Sequence, residues 1–145
     1  MVALWIIAAA VMFGLYNVFI KVSAEDINPI LGAVVLQFVA AFLGLALLLV
    51  TQVQSGSLPF WTGRGLWLAT LAGIAIGLVE ILAFFIYGRG VSVAVGNPLI
   101  VGGSLIVTTG IGVLLLRESI NVMQTLAIFL IAAGVLLLAW SAARA

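Results

Sequence analysis

From Val2 to Ile20 the chain runs nineteen residues without a charge before it reaches Lys21, and four more apolar runs of similar length follow. The hydrocarbon core of a bilayer is about 30 Å thick, and about 20 mostly apolar residues cross it as a helix. The runs fall at Val2–Lys21, Ile30–Val50, Leu66–Tyr87, Val91–Leu116 and Asn121–Trp140. Composition closes off the soluble alternative. Hydrophobic residues make up 66% of the chain and charged residues 6%, against about 25% charged in a soluble domain. Five basic and four acidic residues cannot cover so much apolar surface in water. The expected fold is therefore an all-α integral membrane protein, a bundle of five transmembrane helices forming a single domain over residues 1–145. Five spans place the two termini on opposite faces of the membrane. The first span lacks a basic leader and is too long for a cleavable signal.

Absences narrow the chemistry. The chain has no Cys and no His, which removes disulfides, thiolate and imidazole metal ligands and histidine-based catalysis. The acids are Glu25, Asp26, Glu80 and Glu118, and the bases are Lys21, Arg64, Arg89, Arg117 and Arg144. No metal site and no cofactor is expected from such a set, and no base lies in sequence near a Ser or Thr nucleophile. A net charge of +1 gives no footprint for nucleic acid. An enzyme is not expected.

Between the spans the connections carry recognisable punctuation. Ser23–Pro29 is a polar turn, with Pro29 suited to start a helix. Thr51–Gly65 is the longest loop, and Trp61 and Trp67 fit an interfacial aromatic belt. Asn121 and Gln124 are spaced like a capping box. Pro98 cannot donate to the carbonyl of Ala94, so a kink, partial break or local unwinding of span four is expected around Gly96-Asn97-Pro98.

Lipid tails are as apolar as Leu, so membrane helices associate through small residues and interhelical hydrogen bonds. At helical spacing each span presents such a face. Span one aligns Ala10, Gly14, Asn17 and Lys21; span two aligns Ala33, Gln37, Ala40 and Gly44. Span three aligns Gly73, Gly77, Glu80, Phe84 and Tyr87. Span four carries a glycine ridge at Gly96, Gly103 and Gly110 beside a polar stripe of Asn97, Ser104 and Thr108, and span five carries Gln124, Ala127 and Gly134. One reading is a tightly packed bundle. The other is a shared polar cavity, with Glu80, Asn17, Lys21, Gln37, Tyr87, Asn97, Ser104 and Thr108 as candidates for a substrate or ion pathway.

Glu80 is the sharpest of these. A charge at a helix centre costs about 2.5–3.5 kcal/mol on the insertion scale. The twelve Leu, Ile, Val and Phe residues of its span outweigh that cost but do not explain the residue. It is expected to face the protein interior, either functionally, as a proton-coupling site or the partner of a cationic substrate, or structurally, as a neutral or salt-bridged carboxyl towards which Lys21 or Arg89 snorkels. Lys21 itself also suits an interfacial anchor, and Arg117 and Glu118 suit a solvated loop pair.

Three stretches carry a family likeness. They are Met12-Phe-Gly-Leu-Tyr-Asn-Val-Phe-Ile-Lys21, then Tyr87-Gly-Arg-Gly-Val-Ser-Val-Ala-Val-Gly96, and Gly110-Ile-Gly-Val-Leu-Leu-Leu-Arg-Glu118 followed by Gln124 and Leu130-Ile-Ala-Ala-Gly-Val135. In order and spacing the chain resembles the EamA-domain family of the drug/metabolite transporter superfamily, with Glu118 matching the family's loop glutamate. The resemblance implies half of a ten-helix inverted-repeat transporter fold, whose members export amino acids, metabolites or drugs. Phe13-Gly14 stands where Trp-Gly is usual, and Arg117 replaces a commoner Gly.

The resulting expectation is an exporter of small metabolites or drug-like solutes working by alternating access. It would act as a homodimer of half-transporters in the bacterial inner membrane, with lipid and a small-molecule solute as its other partners. The alternatives are a lipid-linked sugar flippase and a non-transporting membrane subunit or assembly partner. Two positive residues, Arg64 and Arg117, lie on the N-terminal side, against Lys21, Arg89 and Arg144 opposite. A bias of one residue is too small to fix orientation, which predicts insertion both ways and an antiparallel homodimer. The competing arrangement is one fixed orientation with a parallel dimer or a separate inverted partner.

Overall fold

A computed structural model describes residues 2–56, 59–142 and 144. Five helices account for most of them: α1 (Val2–Ser23), α2 (Pro29–Ser55), α3 (Gly63–Gly88), α4 (Val93–Leu114) and α5 (Val122–Ala142). Each is long and apolar enough to cross a membrane, and the described residues contain no strand. The expected five-span, all-α class is the observed one.

The ends of the helices follow local chemistry. Asn28 caps α2, its Oδ1 accepting from the backbone N–H of Ile30 and Leu31 at 3.0 and 3.2 Å, and Pro29 takes the first helical position, where its missing donor costs nothing. Thr62 caps α3 by accepting from the Gly65 N–H at 3.0 Å. Asn121 and Gln124 form the reciprocal pair expected of a capping box, with both bonds at 2.8 Å.

Three boundaries differ from expectation. Helix α2 continues past Val50 through Ser55 and stops at Gly56, which takes a left-handed φ of 61°. Thr51 makes that extension possible because its hydroxyl donates to the Leu48 carbonyl and needs no loop. Helix α3 begins at Gly63, three residues early, so the loop is shorter than the sequence suggests. Helix α4 starts at Val93 and ends at Leu114, inside the expected 91–116.

No unwinding occurs at Pro98: α4 is helical without interruption from Val93 to Leu114, with Pro98 inside it. Only Val93 precedes Ala94 in the helix, so the proline ring acts on a single end turn and forfeits one bond.

The helices form two compact units, residues 1–90 and 91–145. In the first, α3 packs against both α1 and α2. Its buried residues Glu80, Ala83, Phe84 and Tyr87 fall at i, i+3, i+4 and i+7, one stripe of a helix. They meet Asn17 and Ile20 of α1 and Ala33 of α2, which are also buried. The core of this unit thus lies where the C-terminal half of α1, the N-terminal half of α2 and the C-terminal half of α3 come together.

In the second unit α4 packs on α5. The contact is made at Gly102, which faces Val135, and not along the expected ridge: Gly103 and Gly110 have nothing within 4 Å of where a Cβ would stand. Past α4 the chain reverses through Arg117, the one non-glycine among the described residues with positive φ, at 57°. The Glu118 N–H then donates to the Gly112 carbonyl at 3.0 Å. A left-handed residue with a Cβ costs roughly 1–2 kcal/mol, part of which glycine returns as unfolded-state entropy. Arg117→Gly is therefore expected to stabilise the protein by up to about 1 kcal/mol. Thermal unfolding in one detergent checks this, and a lower midpoint would contradict it.

Candidate functional site

The polar residues of the first unit meet along the buried face of α3. Glu80 is 3% exposed, and the hydroxyl of Tyr16 on α1 donates to its Oε2. The Tyr16 ring stacks on Phe13, one turn earlier, with centroids 5.4 Å apart. Towards the end of the helix Tyr87, with no exposed surface, donates from its hydroxyl to the Asn17 Oδ1 at 3.4 Å. Asn17 in turn donates from Nδ2 to the Phe13 carbonyl at 2.8 Å. Both faces expected from the sequence, Asn17 with Lys21 and Glu80 with Tyr87, are turned inward and engage each other.

Glu80 is not paired with Lys21. Lys21 reaches the other way: its Nζ lies 2.6 Å from Glu25 Oε1 and donates to the Tyr87 carbonyl at 3.2 Å. The hydrogen bond that Lys21 donates to Glu25, and then the lysine charge, hold the Glu25 carboxyl below the usual carboxylate range. The lysine also places a cation at the C-terminal end of α3, where carbonyls carry the negative pole of the helix. With Lys21 so occupied, the only ion pair among the described residues is Lys21–Glu25, and the neutral phenol of Tyr16 serves Glu80 instead. Tyr16 was not legible as a site residue from spacing. The available signal was its place beside Asn17, in a chain with only two tyrosines.

Gln37 lies against Gly77, where a Cβ would stand 3.3 Å from its Oε1. The absent side chain lets a polar group from α2 approach α3 one turn from Glu80. Gly73, the other half of that GxxxG, meets nothing within 4 Å.

The remaining candidates belong to the second unit. Ser104 and Thr108 are exposed, and their hydroxyls donate back to their own helix, to the carbonyls of Val101 at 2.7 Å and Ser104 at 2.8 Å. Asn97 differs, because its Oδ1 is buried and accepts no hydrogen bond. The carbonyl of Ala94, one turn before it, has lost the donor that Pro98 lacks. No group of three or more Asp or Glu residues placed to hold a metal occurs among the described residues, and the sequence has no His or Cys.

Beside the Tyr16–Glu80 pair a groove of about 820 Å³ runs between α1 and α2 with Phe84 of α3 among its lining. Its walls are apolar apart from Tyr16, Ser23 and Asp26. Tyr16, which holds the buried Glu80 carboxyl, thus also lines an open, mostly apolar groove of the first unit. The model of the EamA-like transporter family matches residues 1–140.

The chain belongs to the EamA-like transporter family.

It is accordingly a multi-pass membrane protein and a transporter of the drug/metabolite type, from a family of transporters and not of enzymes. No curated protein and no solved structure matches the sequence.

Proposed function

We propose that this EamA-like protein exports small metabolites or drug-like solutes by alternating access, with Glu80 as the carboxylate that couples transport to protons. The observation that carries the reading is the buried Glu80 with a neutral partner. An intramembrane carboxyl is costly and marks function by default. One locked in a salt bridge would serve structure, whereas one held by a phenol can gain and lose a proton without breaking an ion pair. A non-transporting subunit would be expected to lock Glu80 in such a pair and to fill the groove with side chains. Flux of candidate solutes into proteoliposomes, with and without an imposed pH gradient, tests the proposal. Uptake that follows the gradient supports it, and no flux of any solute under either condition overturns it.

Five helices supply half of a ten-helix inverted repeat, so the working unit in this reading is a homodimer of half-transporters in the bacterial inner membrane. The two-against-three balance of positive residues favours two opposite insertions of one chain, which would recreate the inverted repeat. A cytoplasm-only reporter and a periplasm-only reporter, fused separately to the C-terminus, are both expected to give signal. Signal from one alone would leave a parallel dimer or a different inverted partner. One Lys added at either end of the chain is expected to tip insertion one way and weaken activity.

A further inference from the structure

The groove beside Glu80 has a chemistry of its own. Its volume, about 820 Å³, is that of a small-molecule site. Phe19 and Val35 stand on it from α1 and α2 while keeping 67% and 49% of their surface exposed, so the cleft is open along its side. Two carboxylates are associated with it. Asp26 lies in the lining, in the turn after α1, exposed and in no ion pair among the described residues. Glu80 is not in the lining but stands behind Tyr16, which lines the groove and whose hydroxyl donates to the Glu80 carboxylate. Lys21, on the same helix as Tyr16, is taken up by Glu25 and the Tyr87 carbonyl.

An apolar cleft with one acid in its lining, a second behind Tyr16 and no basic residue among its lining residues selects by charge. An anionic head, such as the phosphate of a lipid-linked sugar, would meet like charge at Asp26 and again at Glu80. A neutral amphiphile gains only the walls. A cation gains the walls, attraction at Asp26 and a charge-assisted bond at Glu80. We infer that the groove between α1 and α2 binds amphipathic monocations, the apolar body lying against Phe19, Val35 and Phe84 and the ammonium group displacing the Tyr16 hydroxyl from Glu80. The inference rests on the reading of Glu80 as the transport carboxylate and adds the class of solute and its sideways route of entry. In it Tyr16 is a positioning residue: it satisfies Glu80 while the groove is empty and must be outcompeted when the groove fills.

That competition gives a signature a structural tyrosine would not. Equilibrium binding of radiolabelled octylammonium to the purified protein in phosphatidylcholine nanodiscs is the measurement, with octanol and octanoate as competitors. Saturable binding is expected, with octanol weaker by at least about tenfold and octanoate without effect. Glu80→Gln should weaken binding by about tenfold or more. Tyr16→Phe removes the internal competitor and should tighten binding roughly three- to tenfold. Val35→Trp, at an exposed wall position, should block binding while thermal unfolding of the same nanodisc sample confirms an intact fold. Equal binding of octanol and octylammonium, or weaker binding by Tyr16→Phe, would overturn the inference. So would a Val35→Trp protein that binds normally but no longer self-associates, since the groove would then seat a second copy. Because binding is measured without a gradient, the two readings fail separately. Gradient-driven flux of other solutes with no octylammonium binding removes the substrate class alone, and octylammonium binding with no flux of any solute removes the transport reading alone.

Discussion

Glu80→Gln is expected to abolish pH-driven flux and leave the protein folded. The amide has nearly the shape of the carboxyl, and its oxygen can still accept from the Tyr16 hydroxyl, so the bond that joins α1 to α3 survives. What is lost is the group that titrates. Proteoliposomes carrying the variant should show no more solute accumulation with a pH gradient than without one. Thermal unfolding should stay within about 1 kcal/mol of the parent, since one neutral hydrogen bond is worth about that much. Glu80→Asp gives the graded case: a proton-binding group remains, but one methylene short of Tyr16, and reduced coupled flux is expected. Unchanged pH-dependent flux in Glu80→Gln would reduce Glu80 to a packing residue.

That experiment turns on a contact that hydropathy could not reveal. Uninterrupted apolar length made all five helices legible, and the pairs Asn28–Pro29 and Asn121–Gln124 made two helix starts legible, because caps are local chemistry. The inward face of Glu80 also followed from spacing, since Gly73 and Gly77 share its helix face, although only Gly77 meets a neighbour within 4 Å. The partner of Glu80 did not. Tyr16 and Glu80 are 64 positions apart, and whether Tyr16, Lys21 or Arg89 reaches the carboxyl depends on how α1 is rotated against α3. That rotation is set by packing, not by periodicity. Lys21 looked available only because its bonds to Glu25 and the Tyr87 carbonyl exist in three dimensions. The end of α2 was misjudged for a different reason: Thr51, Gln52 and Gln54 read as loop, yet polar residues can continue a helix beyond the hydrocarbon until a residue such as Gly56 ends it in the left-handed region. At Arg117, where the family more commonly has Gly, the backbone takes a positive φ of 57°, a conformation that spacing alone does not reveal.

The largest effect on stability is expected at Gly102, where α4 meets α5. Lipid offers helices no hydrophobic reason to associate, so close packing carries the contact. A Cβ on Gly102 would stand 3.0 Å from the Val135 Cβ and overlap its Cγ2. Gly102→Leu must push α5 away, and overpacking of this kind costs typically 1–3 kcal/mol and occasionally more. The smaller Gly102→Ala should also destabilise, and Val135→Ala should largely rescue it by clearing both Cγ atoms. A double-mutant cycle read by thermal unfolding is therefore expected to give a coupling of about 1 kcal/mol or more. The adjacent glycine supplies the contrast. Gly103 lies about 100° further round the helix, with nothing near its Cβ position, so Gly103→Ala should be neutral or stabilising by up to about 1 kcal/mol through helix propensity alone. Strictly additive effects at 102 and 135, or damage at 103 equal to that at 102, would mean that the seven-residue ridge of Gly96, Gly103 and Gly110 makes the contact after all. Opposite signs at two neighbouring glycines are what a single close approach at Gly102 requires.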